Sequence, residues 1–181
     1  MIALQLRGMG WDAARGQPLV LLEEHDPLGR VLPIWIAEAD ATALEQAHQG
    51  LSAIRPGTHE LIAAVLAASG RHLTRIVITA LHAHTYYAEL VLDDYTRVSA
   101  RPSDALTLAL RAGADIAANE SVLDAAAVPA AAVLEGTAAE PLTDPGAELG
   151  PDQQVDLDRF REFLTSATPE DFDVGPDEPS Q

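Results

Sequence analysis

The chain contains no cysteine, and its eleven basic residues are all arginine, so lysine is missing as well. The first absence excludes a disulfide framework, a thiolate metal centre and a cysteine nucleophile, leaving His, Asp and Glu as the side chains able to ligate a metal. The second accompanies an excess of alanine and reads as coding bias, so an arginine here is not by itself a sign of guanidinium chemistry. No apolar run approaches the roughly 18 residues that a membrane-crossing helix needs, and residues 1–8 alternate like a strand rather than like a leader. The expectation is a cytoplasmic protein with no membrane contact. Positive charge is scarce: 11 Arg face 28 Asp and Glu, for a formal net charge of −17. A glycine-rich phosphate loop, a His-Glu-x-x-His helix and a Gly-x-Ser-x-Gly elbow are all absent.

What is present suffices for a core, with 48% hydrophobic residues in a chain of 181. Charge divides the chain in two, because residues 1–134 hold 15 acids and 9 Arg (net −6) while residues 135–181 hold 13 acids and 2 Arg (net −11). This predicts a folded domain over 1–128, then an Ala/Pro/Gly/acid-rich linker over 129–154 that buries too little surface to offset its chain entropy. An acidic tail over 155–181 follows, with an amphipathic helix at 155–165 whose Leu157, Phe160, Phe163 and Leu164 form one stripe. Such a stripe needs a covering surface on this chain, on a sister subunit or on a protein partner.

Within the domain, Ile2, Leu4 and Leu6 alternate with Ala3, Gln5 and Arg7, which reads as a half-buried strand. Residues 18–23 and 30–36 form a hairpin around Asp26-Pro27-Leu28-Gly29, with Pro33 suited to an edge or a bulge. The period then becomes helical, with Ala41, Leu44, Ala47/His48 and Leu51 on one face. Thr58 is positioned to cap a second helix, buried through Leu61, Ile62, Val65 and Leu66 and ended by Gly70. Residues 73–80 and 84–93 are strands joined by a turn at Leu81-His82-Ala83, and residues 96–100 form a short strand. A helix opened by Pro102 or Ser103 runs over 104–111 to Gly113, apolar nearly all round, and Asn119 caps a last helix. Strands arrive in hairpins, so the expected class is α+β: a mainly antiparallel or mixed sheet packed with three to four helices.

Polar residues gather at three element boundaries: Glu38/Asp40, Arg55-Pro56-Gly57-Thr58-His59-Glu60, and Arg101-Pro102-Ser103-Asp104. The last two each place an Arg-Pro pair, a hydroxyl and an acid at the start of a helix. Free amides and a guanidinium suit a phosphate, which makes Arg55, Thr58, Arg101 and Ser103 candidate phosphate-binding residues. His59, Glu60 and Asp104 are the candidate catalytic residues: His59 a general base, Glu60 and Asp104 oxygen ligands for Mg²⁺ or Mn²⁺. The same Thr, Ser and acids are also what helix caps and first turns use for structural reasons alone. The functional reading requires the two Arg-Pro turns to fold side by side.

Four segments, Gly29-Arg30-Val31-Leu32-Pro33-Ile34-Trp35-Ile36, Arg55-Pro56-Gly57-Thr58-His59-Glu60-Leu61, Thr85-Tyr86-Tyr87-Ala88 and Ala100-Arg101-Pro102-Ser103-Asp104-Ala105-Leu106, occur in the order and at the spacing of the bifunctional nuclease family. The chain resembles that family over about residues 1–128. The tail segments Phe160-Arg161-Glu162-Phe163-Leu164 and Pro169-Glu170-Asp171-Phe172 also resemble the ending of many bacterial members. The resemblance implies a compact α+β domain, self-association into a homo-oligomer, and a nuclease acting on RNA and DNA. Glu60 stands where Asp is usual in the second segment, and Ser99, just before the last segment, stands where an aspartate is usual.

Two functions follow as expectations. One is a metal-assisted phosphodiesterase acting on nucleic acid, although the net −6 of residues 1–134 opposes capture of a polyanion except at a local arginine patch. The other is a non-catalytic oligomeric binding module, in which the motif residues maintain the fold and the acidic tail contacts a protein partner.

Overall fold

A computed structural model describes residues 1–13, 15–25, 29–52, 54–130 and 133. The acidic tail and its helix at 155–165 lie outside the described residues, as does the expected linker from residue 134 onward. Period-two alternation in β1 (Ile2–Asp12) and continuous apolar runs in β2 (Gln17–Glu24) and β3 (Arg30–Trp35) build a first meander, each strand antiparallel to the next. A bulge between Leu6 and Gly8 interrupts the β1–β2 register, and Gly8 sits at φ +156°, a conformation that glycine tolerates. Pro33 pairs with Leu21 across β2, and on its other side the short β8 (Val128–Pro129) reaches only Arg30 and Val31. The missing N–H of Pro33 therefore leaves no ladder bond unmade on that side.

A second meander holds β4 (Leu73–His82), β5 (Thr85–Leu92) and β6 (Arg97–Ala100). The turn joining β4 to β5 consists of Ala83 and His84, at φ +46° and +66°, and not of residues 81–83 as the pattern suggested. His82 instead pairs with Thr85 in the ladder. A two-residue turn with both φ positive matches the right-handed twist of its strands, which is why the chain accepts two non-glycine residues there. The meanders join through β7 (Asp115–Ala118), a strand the pattern did not reveal. It runs parallel to β4 and antiparallel to β1, giving one mixed sheet of eight strands in the order β6-β5-β4-β7-β1-β2-β3-β8.

Four helices accompany the sheet: α1 (Glu38–His48), α2 (Thr58–Ala68), α3 (Pro102–Ala112) and α4 (Glu120–Ala126). The expected α+β class holds. Helix α3 is the central prop, with Ala105, Leu106, Leu108 and Ala109 buried in the same core as Ala41 and Leu44 of α1 and Val122 and Leu123 of α4. Its Pro102 occupies the first turn, where no N–H is needed, and Gly113 closes it in the left-handed conformation at φ +64°. Leu106 is buried to 1% exposure, so Leu106→Ala is expected to cost about 2–5 kcal/mol, read as a lower midpoint in urea unfolding. Arg30 ties the hairpin to α4, donating to Glu24 at 2.8 and 3.0 Å, to Glu120 at 3.0 Å and to Asp124 at 3.2 Å. Its hydrogen bonds hold the buried Glu24 carboxyl below the ordinary value against the opposing effect of burial.

Three expectations need correction. Leu51 falls beyond the end of α1 and His48 is exposed, because the helix turns its Ala41, Leu44 and Ala47 stripe inward and stops there. Gly57, not Thr58, is the N-cap of α2. The stripe Leu61, Ile62 and Val65 is exposed rather than buried; only Leu66 of that set packs on the core. The cause is polar: α2 turns His59 and Glu60 toward α3, and that rotation puts the bulkier apolar residues outside.

Candidate functional site

Three helix starts meet in one cluster of charged side chains. Asp40 lies in the first turn of α1, His59 in the first turn of α2, and Arg101 is the N-cap of α3, followed by Ser103 and Asp104. A helix start favours a carboxylate through its dipole and free amides, which explains an acid in each first turn. Tertiary folding then groups the side chains. Arg101 donates to Asp104 through Nε at 2.8 Å and Nη2 at 3.0 Å, and to Asp40 through Nη1 at 3.1 Å and Nη2 at 3.2 Å. Ser103, which is buried, donates from Oγ to the same Asp40 carboxylate at 3.1 Å.

His59 Nε2 lies 3.2 Å from Asp104 Oδ1. Burial raises the Asp104 pKa, but hydrogen bonds from Arg101 and His59 and the Arg101 charge outweigh it and hold the carboxyl below the ordinary aspartate value of 3.8. Asp104 is thus ionised at neutral pH and can only accept, so the hydrogen of this contact rides on Nε2. In the neutral ring the lone pair is then on Nδ1. Arg101 is held above its ordinary pKa, first by the hydrogen bond to Asp104 and then by the charges of Asp104 and Asp40.

The grouped residues line two hollows. A cleft of about 410 Å³ is bounded by Trp35, Asp40, His84, Tyr86, Arg101 and Ser103, among others. Tyr86 donates its hydroxyl to the Pro33 carbonyl at 3.1 Å, and burial raises its pKa. A second hollow of about 220 Å³ is lined by Thr58, His59, Glu60, Thr107 and Arg111. The two Arg-Pro turns therefore lie side by side through His59 and Asp104, with their remaining groups divided between two openings. Arg55 is exposed and makes no hydrogen bond or ion pair with the described residues.

Glu60 is turned toward Arg111, whose Nη2 lies 2.8 Å from its Oε1. Glu60 and Asp104 thus answer to different guanidinium groups, and a divalent cation held between the two does not fit this arrangement. Among the described residues, no three His, Asp or Glu side chains converge as a ligand set. The residue-by-residue reading missed Arg111, which also donates to the Leu51 carbonyl. Its signal was its place seven residues after Asp104, two turns along the same face of α3. The pairing of Asp40 with Arg101 spans 61 residues and has no local signal.

A mixed eight-stranded sheet whose helix starts share one ion cluster beside an open cleft defines a small α+β domain with a charged surface site. Residues 20–131 match the family described as the bifunctional nuclease domain, and the chain belongs to that family. It is also 36% identical over 167 residues to uncharacterized proteins of two Mycobacterium tuberculosis strains, CDC 1551 / Oshkosh and ATCC 25618 / H37Rv, covering 91% of this chain and 94% of each relative. Among the described residues, no helix is long and apolar enough to cross a membrane.

Proposed function

We propose that the chain hydrolyses phosphodiester bonds of RNA and DNA, taking cytoplasmic nucleic acid as substrate. The observation that carries this reading is the His59–Asp104 contact of 3.2 Å at the meeting point of two helix starts. In the proposed step, His59 Nδ1 takes the proton of an attacking water as its oxygen bonds to phosphorus. The P–O bond to the leaving nucleotide breaks, and the imidazolium returns its proton to the departing oxygen. Asp104 fixes the tautomer and stabilises the imidazolium without itself being protonated. Arg101 and Arg55, which makes no hydrogen bond or ion pair with the described residues, are the cations offered to the phosphate, with Thr58 as hydroxyl donor and Glu60 holding Arg111, while Ser103, whose hydroxyl hydrogen goes to Asp40, reaches the phosphate only by giving up that bond. Mg²⁺ and Mn²⁺ enter as arms of the assay.

A second reading, the non-catalytic oligomeric binding module with a tail-borne protein contact, is favoured by one observation. Arg101 already makes four hydrogen bonds to carboxylates, out of the five N–H donors a guanidinium carries. A single assay separates the two. Full-length protein is incubated with labelled single- and double-stranded RNA and DNA, with and without Mg²⁺, Mn²⁺ and a chelator. Cleavage is the expected result. Intact substrates beside a control nuclease that cuts would leave only the binding module.

A further inference from the structure

The cleft between Trp35 and Arg101 holds more than phosphate chemistry uses. Aromatic side chains are scarce in residues 1–134, which hold two Trp, three Tyr and no Phe, yet Trp35 and Tyr86 both line this one hollow of about 410 Å³. Neither ring is loose. Trp35 donates its indole Nε1 to Asp12 at 2.9 Å, and the Arg15 guanidinium lies 4.0 Å from the Trp35 ring centroid. Tyr86 is anchored through its hydroxyl to the Pro33 carbonyl at 3.1 Å, so what it offers the cleft is its ring. Beside these rings stands Gln17, an exposed residue whose side-chain amide makes no hydrogen bond with the described residues. Asp40 and Arg101 complete the wall, and Arg101 also bonds Asp104, the partner of His59.

We propose that this cleft takes one unpaired nucleobase of a single-stranded nucleic acid, stacked on Trp35 with Gln17 reading its edge. The wall offers three chemistries, and a nucleotide answers each of them. Its planar base meets a clamped indole, which stacks at little further cost in side-chain entropy. The base edge carries hydrogen-bond donors and acceptors, and a primary amide such as Gln17 supplies both. Its phosphate finds Arg101. An apolar ligand would leave the Gln17 amide and the Asp40–Arg101 pair without a counterpart, and an inorganic anion would leave both rings uncovered. The size of the hollow suits one small planar body and not a double helix, so a paired base would first have to be turned out of its stack, at a cost of a few kcal/mol in general. The charge of the domain points the same way. With net −6 over residues 1–134, a long-range field cannot hold the strand, and stacking supplies an attraction that does not depend on that field. Binding of the base stands independently of the nuclease reading; its consequence, a preference for cutting unpaired strands, rests on that reading.

The test uses the full chain with His59→Ala, so that the strand stays intact, and with Trp11→Phe, which leaves Trp35 as the one tryptophan. Its emission should be quenched on titration with short single-stranded DNA and RNA of one sequence, the two sugars forming separate arms. The same strands carrying abasic sites keep every phosphate and should bind about 5–150-fold more weakly, the usual loss when a base and a ring no longer stack. The matching duplex should bind about tenfold or more weakly than the single strand. Anisotropy of labelled strands reads the variants. Trp35→Ala should raise Kd by about 5–150-fold and Trp35→Phe by much less, while Gln17→Ala, a change at an exposed site, should flatten the order of preference among the four homopolymers. Tyr95→Ala, at a residue 85% exposed between β5 and β6, should change nothing. Equal affinity for intact and abasic strands, Trp35 emission unmoved at saturation, or a duplex held as tightly as a single strand would overturn the proposal. A native chain that binds base-bearing strands and cleaves nothing sinks the nuclease reading and leaves the base site standing. Cleavage that runs equally fast on intact, abasic and paired strands, with Trp35 silent, does the reverse.

Discussion

His59→Ala and Asp104→Asn are each expected to slow phosphodiester cleavage by about 10²–10⁴-fold, the usual contribution of a positioned general base. Far-UV circular dichroism and the elution volume should stay unchanged, because both side chains are partly exposed and neither belongs to the buried core. The reasoning lies in the hydrogen bond. An ionised Asp104 accepts from Nε2 and so leaves the lone pair on Nδ1; asparagine can present its NH₂ instead and reverse the ring's tautomer. In the proposed step both residues serve one proton transfer, so the double variant should be no slower than the slower single one. Losses that multiply would mean that the two act separately, and unchanged rates would remove them from the reaction. Single-turnover rates on one labelled RNA decide between these outcomes.

Arg101→Leu is expected to raise the Asp104 pKa, followed by carboxyl carbon chemical shifts against pH. In the native chain burial pushes this carboxyl up and the Arg101 hydrogen bonds and charge push it down further than burial raises it. Without the guanidinium, burial is opposed by His59 alone, and Asp40, formerly joined to Asp104 through the arginine, becomes an uncompensated negative neighbour. Linkage gives the sign. A depressed carboxyl contributes stability above its unfolded value of 3.8, and that contribution is lost as pH falls through the lower folded value. The native chain should therefore lose stability over this acidic window, and Arg101→Leu should lose less there, having already lost the contribution at neutral pH. Asp104 shifts that match in the two proteins would show that the guanidinium does not control this carboxyl.

Much of the fold was legible because its signals are local. Alternation marks β1 and β5, apolar runs bounded by turn residues mark β2 and β3, and glycines at 70 and 113 end α2 and α3 with φ of +69° and +64°. Strand β7 has no local signal because its four residues, Asp115 to Ala118, lie between two helices and hold one large apolar side chain, Ile116, among alanines. The face of α2 was misassigned for a different reason. Its apolar residues outnumber its polar ones, so composition favours burying Leu61 and Val65, whereas the two ion contacts of His59 and Glu60 set the actual rotation. The site followed the same division. Residues that share a turn, such as Arg101, Ser103 and Asp104, announced themselves together. Asp40 and Arg111 became parts of the cluster only once strands and helices had brought distant segments into reach.

The narrow join at β7 also governs how the molecule can be made. Ile2 to Leu4 find their inner neighbour only in Ala118 to Ile116, and β7 in turn lies along Arg75 to Ile78 of β4. A nascent chain emerging from the ribosome can close each meander early, but no strand ladder joins the two halves of the sheet until residue 118 has cleared the tunnel. The first strand to be synthesised is thus among the last to be locked in place.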